Sequence, residues 1–323
     1  MRIFANANYD FLNYRRVAYV VSGVLLAVGI IGGVFWQVRA DSWLNYGVDF
    51  TGGTLVQVRF TEPASVADLR AIINPEIDGA EITHFGGENE FIFRAPQFRA
   101  EGEETSAVIV SALDAQLGGE GFSVERVESV GPTIGEELQQ RALLAVLVSF
   151  ILALIYLAIR FEWRYGTAAV ITTIHDIVLG LGFIAIFRLD MSLATVAAVL
   201  TIIGYSLNDT IVLFDRVREN DKKMGRREPH ESIINRSINE VLPRTVVTSG
   251  TTLMALLALL VLGGVILRDF ALILMFGIVV GTYSSIFVAA PVLLEIERRW
   301  PRKKPAVSKT KVSGSRARAP AGA

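Results

Sequence analysis

The sequence predicts an α-helical membrane protein of six transmembrane helices, carrying one small α+β domain of ferredoxin-like order on the far side of the bilayer. Three observations lead there. Apolar residues gather in six long runs, at 17–36, 142–159, 166–187, 191–214, 245–267 and 270–294. Lysine and arginine collect on one set of the connections between those runs. The one long connection, residues 37–141, is acidic and carries alternating strand-like and helix-like patterns.

The runs come first. The chain has 323 residues, of which 52% are hydrophobic and 20% charged. A soluble chain of that length would spread its apolar residues through short amphipathic elements. Each run here is near or above the roughly 18–20 residues that cross about 30 Å of hydrocarbon as a helix. Helices are required because lipid offers no partner to backbone N–H and C=O groups. The first run lies behind Arg15 and Arg16, is long, and lacks a small-x-small cleavage site. It reads as a retained transmembrane helix and not as a signal peptide.

Orientation follows from the basic residues. One set of flanks holds Arg2, Arg15, Arg16, Arg160, Arg164, Arg216, Arg218, Lys222, Lys223, Arg226, Arg227, Arg236 and Arg244, and then a basic tail. The opposite short loops hold Arg188 and Arg268, each close to an acid (Asp190, Asp269). Both termini are therefore expected in the cytoplasm, as segments 1–16 and 295–323, the latter a basic, disordered tail. Residues 37–141 are expected on the periplasmic side, with 18 acids against seven arginines. The formal net charge of −1 conceals this asymmetry.

Within that domain, TLVQVRF (54–60) alternates like a strand, and 64–73 is helix-like with Ser65 as its cap. Residues 80–84 and EFIFRA (90–95) read as two strands around Gly86 and Gly87. Residues 103–117 place Val108, Leu113 and Leu117 at helical spacing, and FSVERVESV (122–130) alternates again. The order is β-α-β-β-α-β. On the cytoplasmic side, residues 228–241 are amphipathic, and Ile233, Ile234, Ile238 and Val241 are expected to rest on the membrane surface.

Composition removes several function classes. With no cysteine there is no disulfide, Cys-ligated zinc, iron–sulfur cluster or thiol catalysis. Only His84, His175 and His230 exist, so no His-rich metal site is expected. There is no Walker A sequence. No cofactor, metal, nucleic-acid partner or enzymatic activity is therefore expected. GVDFTGGT (47–54) is glycine-rich but does not match a phosphate loop; following the first helix directly, it reads as a tight backbone junction.

The informative residues are those a bilayer rejects, since a charge at a helix centre costs about 2.5–3.5 kcal/mol on insertion scales. The third run carries Thr172, Thr173, His175 and Asp176, with Asp176 near mid-membrane and on the same face as Thr172. The fourth carries Thr201, Ser206, Asn208 and Asp209. The fifth opens on Arg244, with Thr248, Thr251 and Thr252 continuing one polar stripe. The sixth has Gly277, Gly281 and Ser285 at spacing four, a face suited to close helix packing. Each has a plain structural alternative. Asp209 can be an acid tied to Asn208 or to a backbone group. His175 and Asp176 can bond each other and the neighbouring threonines. Arg244 can be an interfacial residue that snorkels, and the threonines can be packing contacts. Together, Asp209, Arg244, Asp176, His175 and Asn208 suggest a proton relay. A carboxylate at low dielectric can load and release a proton near neutral pH, and a nearby arginine alters that balance. One proton moving down 100 mV supplies about 2.3 kcal/mol.

Several segments carry a family resemblance: GVDFTGGT, SVGPTIGEEL (129–138), RFEWRYG (160–166), IHDI (174–177), GYSLNDTIVLFDRVREN (204–220), NRSINEVLPRTVVTSGTTL (235–253) and the pair Phe276-Gly277. Over roughly 11–300 the chain resembles the SecF family, the smaller membrane subunits of the bacterial SecDF protein-export complex, within the resistance–nodulation–division superfamily. The resemblance implies one half of a pseudo-symmetric twelve-helix unit completed by SecD. It implies association with the SecYEG channel and an unfolded translocating polypeptide, in contact with membrane lipid. It implies use of the proton gradient in the bacterial inner membrane, with Asp209 matching the relay acid and Arg244 the arginine that opens the fifth helix. Two other classes stand beside this one: a proton-driven transporter of small molecules or lipids of the same superfamily, and a structural scaffold subunit. The small size of the outer module favours export, since efflux relatives carry large paired outer domains.

Overall fold

The computed structural model describes residues 7–77, 79–85, 89–96, 104–224, 228–264 and 267–301. The first six residues, the glycine pair Gly86 and Gly87, and most of the predicted tail lie outside them. The chain enters as helix α1 (Arg15–Ala40) and passes through a short parallel strand β1 (Asn45–Tyr46) and a one-turn helix α2 (Val48–Thr51). The sheet domain follows as β2 (Gly53–Phe60), α3 (Val66–Ile73), β3 (Glu81–His84), β4 (Glu90–Ala95), α4 (Thr105–Leu117) and β5 (Phe122–Val130). The strands form one antiparallel sheet in the order β3-β4-β2-β5. Ser65 caps α3 by accepting the Asp68 N–H at 3.1 Å.

The central strand β2 has α3 and α4 on one face. Val56, Val58 and Phe60 meet Leu69, Ile73, Phe91, Phe93, Ile109 and Leu113 there in one closed core. Its other face, with Leu55, Gln57 and Ile92, is buried as well, so β2 lacks the half-polar alternation of a surface strand.

The remaining chain is helical: α5 (Pro132–Arg160), α6 (Trp163–Ile186), a short strand β6 (Asp190–Met191), α7 (Leu193–Met224), α8 (His230–Leu262) and α9 (Arg268–Ser284). A π-helical turn, Ser285–Ala289, then leads into α10 (Ala290–Arg299). Among the described residues, six helical stretches are long and apolar enough to cross a membrane, the last of them spanning Arg268–Arg299. The chain is a multi-pass membrane protein. At 32 residues, α7 is about 48 Å long at 1.5 Å per residue, more than the roughly 30 Å hydrocarbon core. Its C-terminal part therefore projects beyond the bilayer, as does the start of α8.

Projection changes the reading of residues 228–241. Residues 230–241 open α8, and Ile233, Ile234 and Ile238 do not lie on lipid; they are at most 1% exposed inside the protein. The reason is local pairing. Asn235 and Asn239 accept the backbone N–H groups of Phe11 and Tyr9 at 2.9 and 2.8 Å, which binds the entry segment against this face. At the same end Arg160 pairs with Asp215 at 2.5 Å, Arg216 with Glu240 at 2.6 Å, and Glu231 with Arg15 and Arg298.

Two helices touch backbone to backbone. A methyl group added at Gly182 of α6 would lie 2.8 Å from the Cα of Gly29 on α1. A few residues along, Gly32 faces Ile186 so closely that a Cβ there would fall 2.5 Å from Cγ1. By contrast, α5 and the apolar part of α8 leave most of their surface uncovered by this chain.

Candidate functional site

Asp176 lies in the middle of α6 and is buried, as are its helical neighbours Thr172 and Thr173. Those threonines return their hydroxyls to the carbonyls of Ala168 and Ala169, each at 2.9 Å, so they do not serve the acid. The acid's partners come from elsewhere. Oδ1 meets Nδ1 of His175 at 2.8 Å. Oδ2 accepts the hydroxyl of Ser284 on α9 at 2.7 Å and that of Ser206 on α7. Three helices therefore converge on one carboxyl group.

Small residues permit the convergence. Gly281 lies against Ser206, where a Cβ would sit 3.1 Å from the serine Cβ, and Gly277 lies against Ile202. The stripe at spacing four thus lets α9 approach α7. Immediately after Ser284 the helix widens into the π-helical turn Ser285–Ala289. Such turns are single-residue insertions that concentrate at functional positions. Beside it, Nε2 of His175 is buried without a hydrogen-bond partner.

Asp209 is three residues beyond Ser206 on α7, about 4.5 Å further along the helix axis. The residue is only 5% exposed, yet its Oδ2 and the hydroxyl of adjacent Thr210 are buried without hydrogen bonds. Buried carboxylate oxygens normally find donors, so this acid differs in kind from Asp176. Asn208, next in the chain, points the other way: it is exposed and takes no part in holding Asp209.

Arg244 is exposed on α8, directly after Pro243. Pro243 has no N–H for the carbonyl of Asn239, so α8 lacks one ladder bond beside the arginine. Arg244 is near enough for its charge to act on the Asp209 carboxyl, but Oδ2 receives no hydrogen bond from it.

The threonine stripe that continues from Arg244 is only partly covered by this chain, with Thr248 and Thr252 half-buried. Thr251 is exposed, and the hydroxyls of Thr251 and Thr252 bond their own helix at Val247 and Thr248, each at 2.9 Å. Nearer the acids, the Ser249 hydroxyl joins α8 to its neighbours, meeting Thr282 of α9 at 2.6 Å and Tyr205 of α7 at 3.3 Å. Of the five sequence-predicted residues, then, His175 and Asp176 form one bonded unit, Asp209 and Arg244 a loose pair, and Asn208 stands apart. The sequence reading missed Ser284 and gave Ser206 no partner. A serine in an apolar run is the available signal, but it does not say which helix the hydroxyl will meet. Among the described residues no group of three His, Asp or Glu side chains is arranged to hold a metal ion.

Comparison with known proteins adds to this geometry. A family profile described as "Protein export membrane protein SecD/SecF, C-terminal" matches residues 110–299, and one described as "SecD/SecF GG Motif" matches residues 42–64. The chain is 48% identical over 309 residues to a protein translocase subunit SecF from Gemmatimonas aurantiaca, covering 94% of this chain and 91% of that one. It is 42% identical over 299 residues to the subunit from Magnetococcus marinus, with 91% and 94% covered. Among solved structures it is similar to SecDF of Thermus thermophilus, described as a translocon-associated membrane protein, with a TM-score of 0.80 and 39% identity. That match covers 93% of this chain and 40% of the other, so the chain spans about two fifths of the length of the solved SecDF chain.

Proposed function

Because the chain belongs to the SecF family of protein-export membrane proteins, we propose that it is an accessory subunit of the Sec export machinery, driven by the proton gradient through Asp209. In this reading a SecD-type chain supplies the other half of the membrane unit and covers the bare faces of α5 and α8. The pair works beside the SecYEG channel, in contact with lipid and with the unfolded polypeptide being exported. The sheet domain faces the outside and both termini face the cytoplasm, in accord with the basic residues at the opposite end of the bundle.

One observation carries the proposal: Asp209 is a carboxyl group within a membrane helix, buried, with an oxygen that no group among the described residues satisfies. Asp176, by contrast, has hydrogen-bond partners on both oxygens. An acid left unsatisfied beside an arginine it does not bond has two arrangements available, protonated or paired with Arg244, and can exchange them. His175 and Asp176, on the neighbouring helix α6 and joined to α7 through Ser206, extend the path. Asn208 faces outward, towards the proposed partner.

The test is export of a secreted reporter in cells depleted of the native subunit. Asp209→Asn preserves size and hydrogen-bonding capacity but cannot ionise. The variant is expected to be expressed and to bind its partner, and to lose the stimulation of export that the proton gradient gives. Wild-type export from that variant would remove Asp209 from the relay and leave Asp176 and His175 as the remaining acids and bases.

A further inference from the structure

The contact between sheet domain and membrane helices is built from charges, at a place the relay does not use. Segment 42–53 passes between the first turn of α5 and the loop joining α6 to α7. On one side, a Cβ at Gly135 of α5 would lie 2.9 Å from the amide nitrogen of Gly52. On the other, β1 pairs with β6, and the Gly47 N–H bonds the Met191 carbonyl at 3.0 Å. Asp49 accepts the Leu193 N–H at 2.8 Å, and so caps the first turn of α7.

Arg94 completes the joint from the sheet. It projects from β4 and bonds Asp190 at 2.7 Å and the Asn45 side chain at 3.1 Å, one guanidinium nitrogen to each. Arg94 and Asp190 are 14% and 17% exposed, so the pair is largely withdrawn from water. The backbone N–H of Asp190 bonds Asp269 at the start of α9 at 3.1 Å.

We propose that Arg94 and Asp49 are positioning residues that couple the sheet domain to α7, the helix bearing Asp209, so that a shift of α7 on proton exchange moves the sheet. This rests on the proton-driven reading above and adds the route by which the movement leaves the membrane.

Two observations distinguish a coupling joint from ordinary packing. Burial pushes the Asp190 carboxyl up from its usual value, against the lowering effect of Arg94 and with Asp269 adding to the rise. An acid raised in the fold is penalised when ionised, so the stability it contributes is present at low pH and is lost as pH rises through the raised value. The fold thus penalises the ionised carboxyl, and a buried ion pair is weak as a source of stability. Beside it on the same sheet face, both amide atoms of fully buried Gln57 lack partners. Buried polar groups left unmet on this face depart from ordinary packing, as functional positions do.

The experiment uses the full chain with its SecD-type partner in vesicles bearing a proton gradient, and reads proton flux and export together. Arg94→Ala is expected to lose gradient-stimulated export while keeping the flux that Asp209→Asn abolishes. The reversed pair, Arg94→Asp with Asp190→Arg, is expected to restore export, and retained flux in Arg94→Ala is what a residue needed only for folding would not give. Full export from Arg94→Ala, or no recovery in the reversed pair, overturns the coupling role while the relay stands. Loss of flux in both Arg94→Ala and the reversed pair also overturns it. If Asp209→Asn keeps wild-type flux and export, the relay itself fails and the coupling role falls with it.

Discussion

Asp176 and Asp209 are both acids inside membrane helices, but only one of them is housed. Asp176 has a histidine and two hydroxyls from three helices. Asp209, about a turn away on α7, has a buried oxygen with nothing to accept from and faces a helix whose far side this chain leaves bare. An acid at low dielectric is tolerated either by satisfying it or by letting it take up a proton. The two residues represent the two solutions, and the contrast separates the part of the cluster that holds the helices together from the part free to change state.

The contrast can be broken by substitution, with thermal unfolding of the full chain in detergent as the measure. The largest effect is expected at Asp176→Ala, which strands the Ser206 hydroxyl and a His175 ring nitrogen in a buried interior, while the Ser284 hydroxyl keeps the Gly281 carbonyl. At roughly 1–3 kcal/mol for each stranded group, the loss should be about 3 kcal/mol or more. Ser284→Ala removes one donor and leaves the acid two others, so about 1.5 kcal/mol is expected, the upper end for a single hydrogen bond. Asp209→Asn should fall within about 1 kcal/mol of wild type, since no hydrogen bond to Oδ2 is lost; its effect belongs to export. Asn208→Ala, exposed and unbonded, should change stability by no more than about 0.5 kcal/mol. If Asp209→Asn unfolds the chain as readily as Asp176→Ala does, the distinction between the two acids is wrong.

How much of this was legible beforehand varies with the kind of information each feature needs. The six helices and the β-α-β-β-α-β order come from local patterns, and the resemblance in segments such as GVDFTGGT pointed to the same architecture. That segment was read as a tight junction, and Gly135 and Gly47 show what it is tight against. The bond between Asp176 and His175 was among the sequence readings; the acid's two serine partners were not legible. They lie 30 and 108 residues away, on α7 and α9, and helical periodicity tells which residues share a face without telling which faces meet. The same gap explains the stripe beginning at Arg244. On the face it marks, Arg244 and Thr251 are exposed while Thr248 and Thr252 are half-buried. It also explains residues 228–241, whose apolar side found protein because α7 and α8 extend past the bilayer.

The glycine contact between α1 and α6 has a mechanical consequence. At Gly29 and Gly182 the two backbones meet with no side chain between them, while just beyond, Ile186 fills the space beside Gly32. Axial sliding of one helix along the other would drive α1 side chains into that isoleucine, so thrust is blocked. Tilting about the bare contact meets no comparable obstacle. The crossing is a fulcrum: α6, which carries Asp176, can rock against α1, which leads into the sheet domain, and what passes between them is torque.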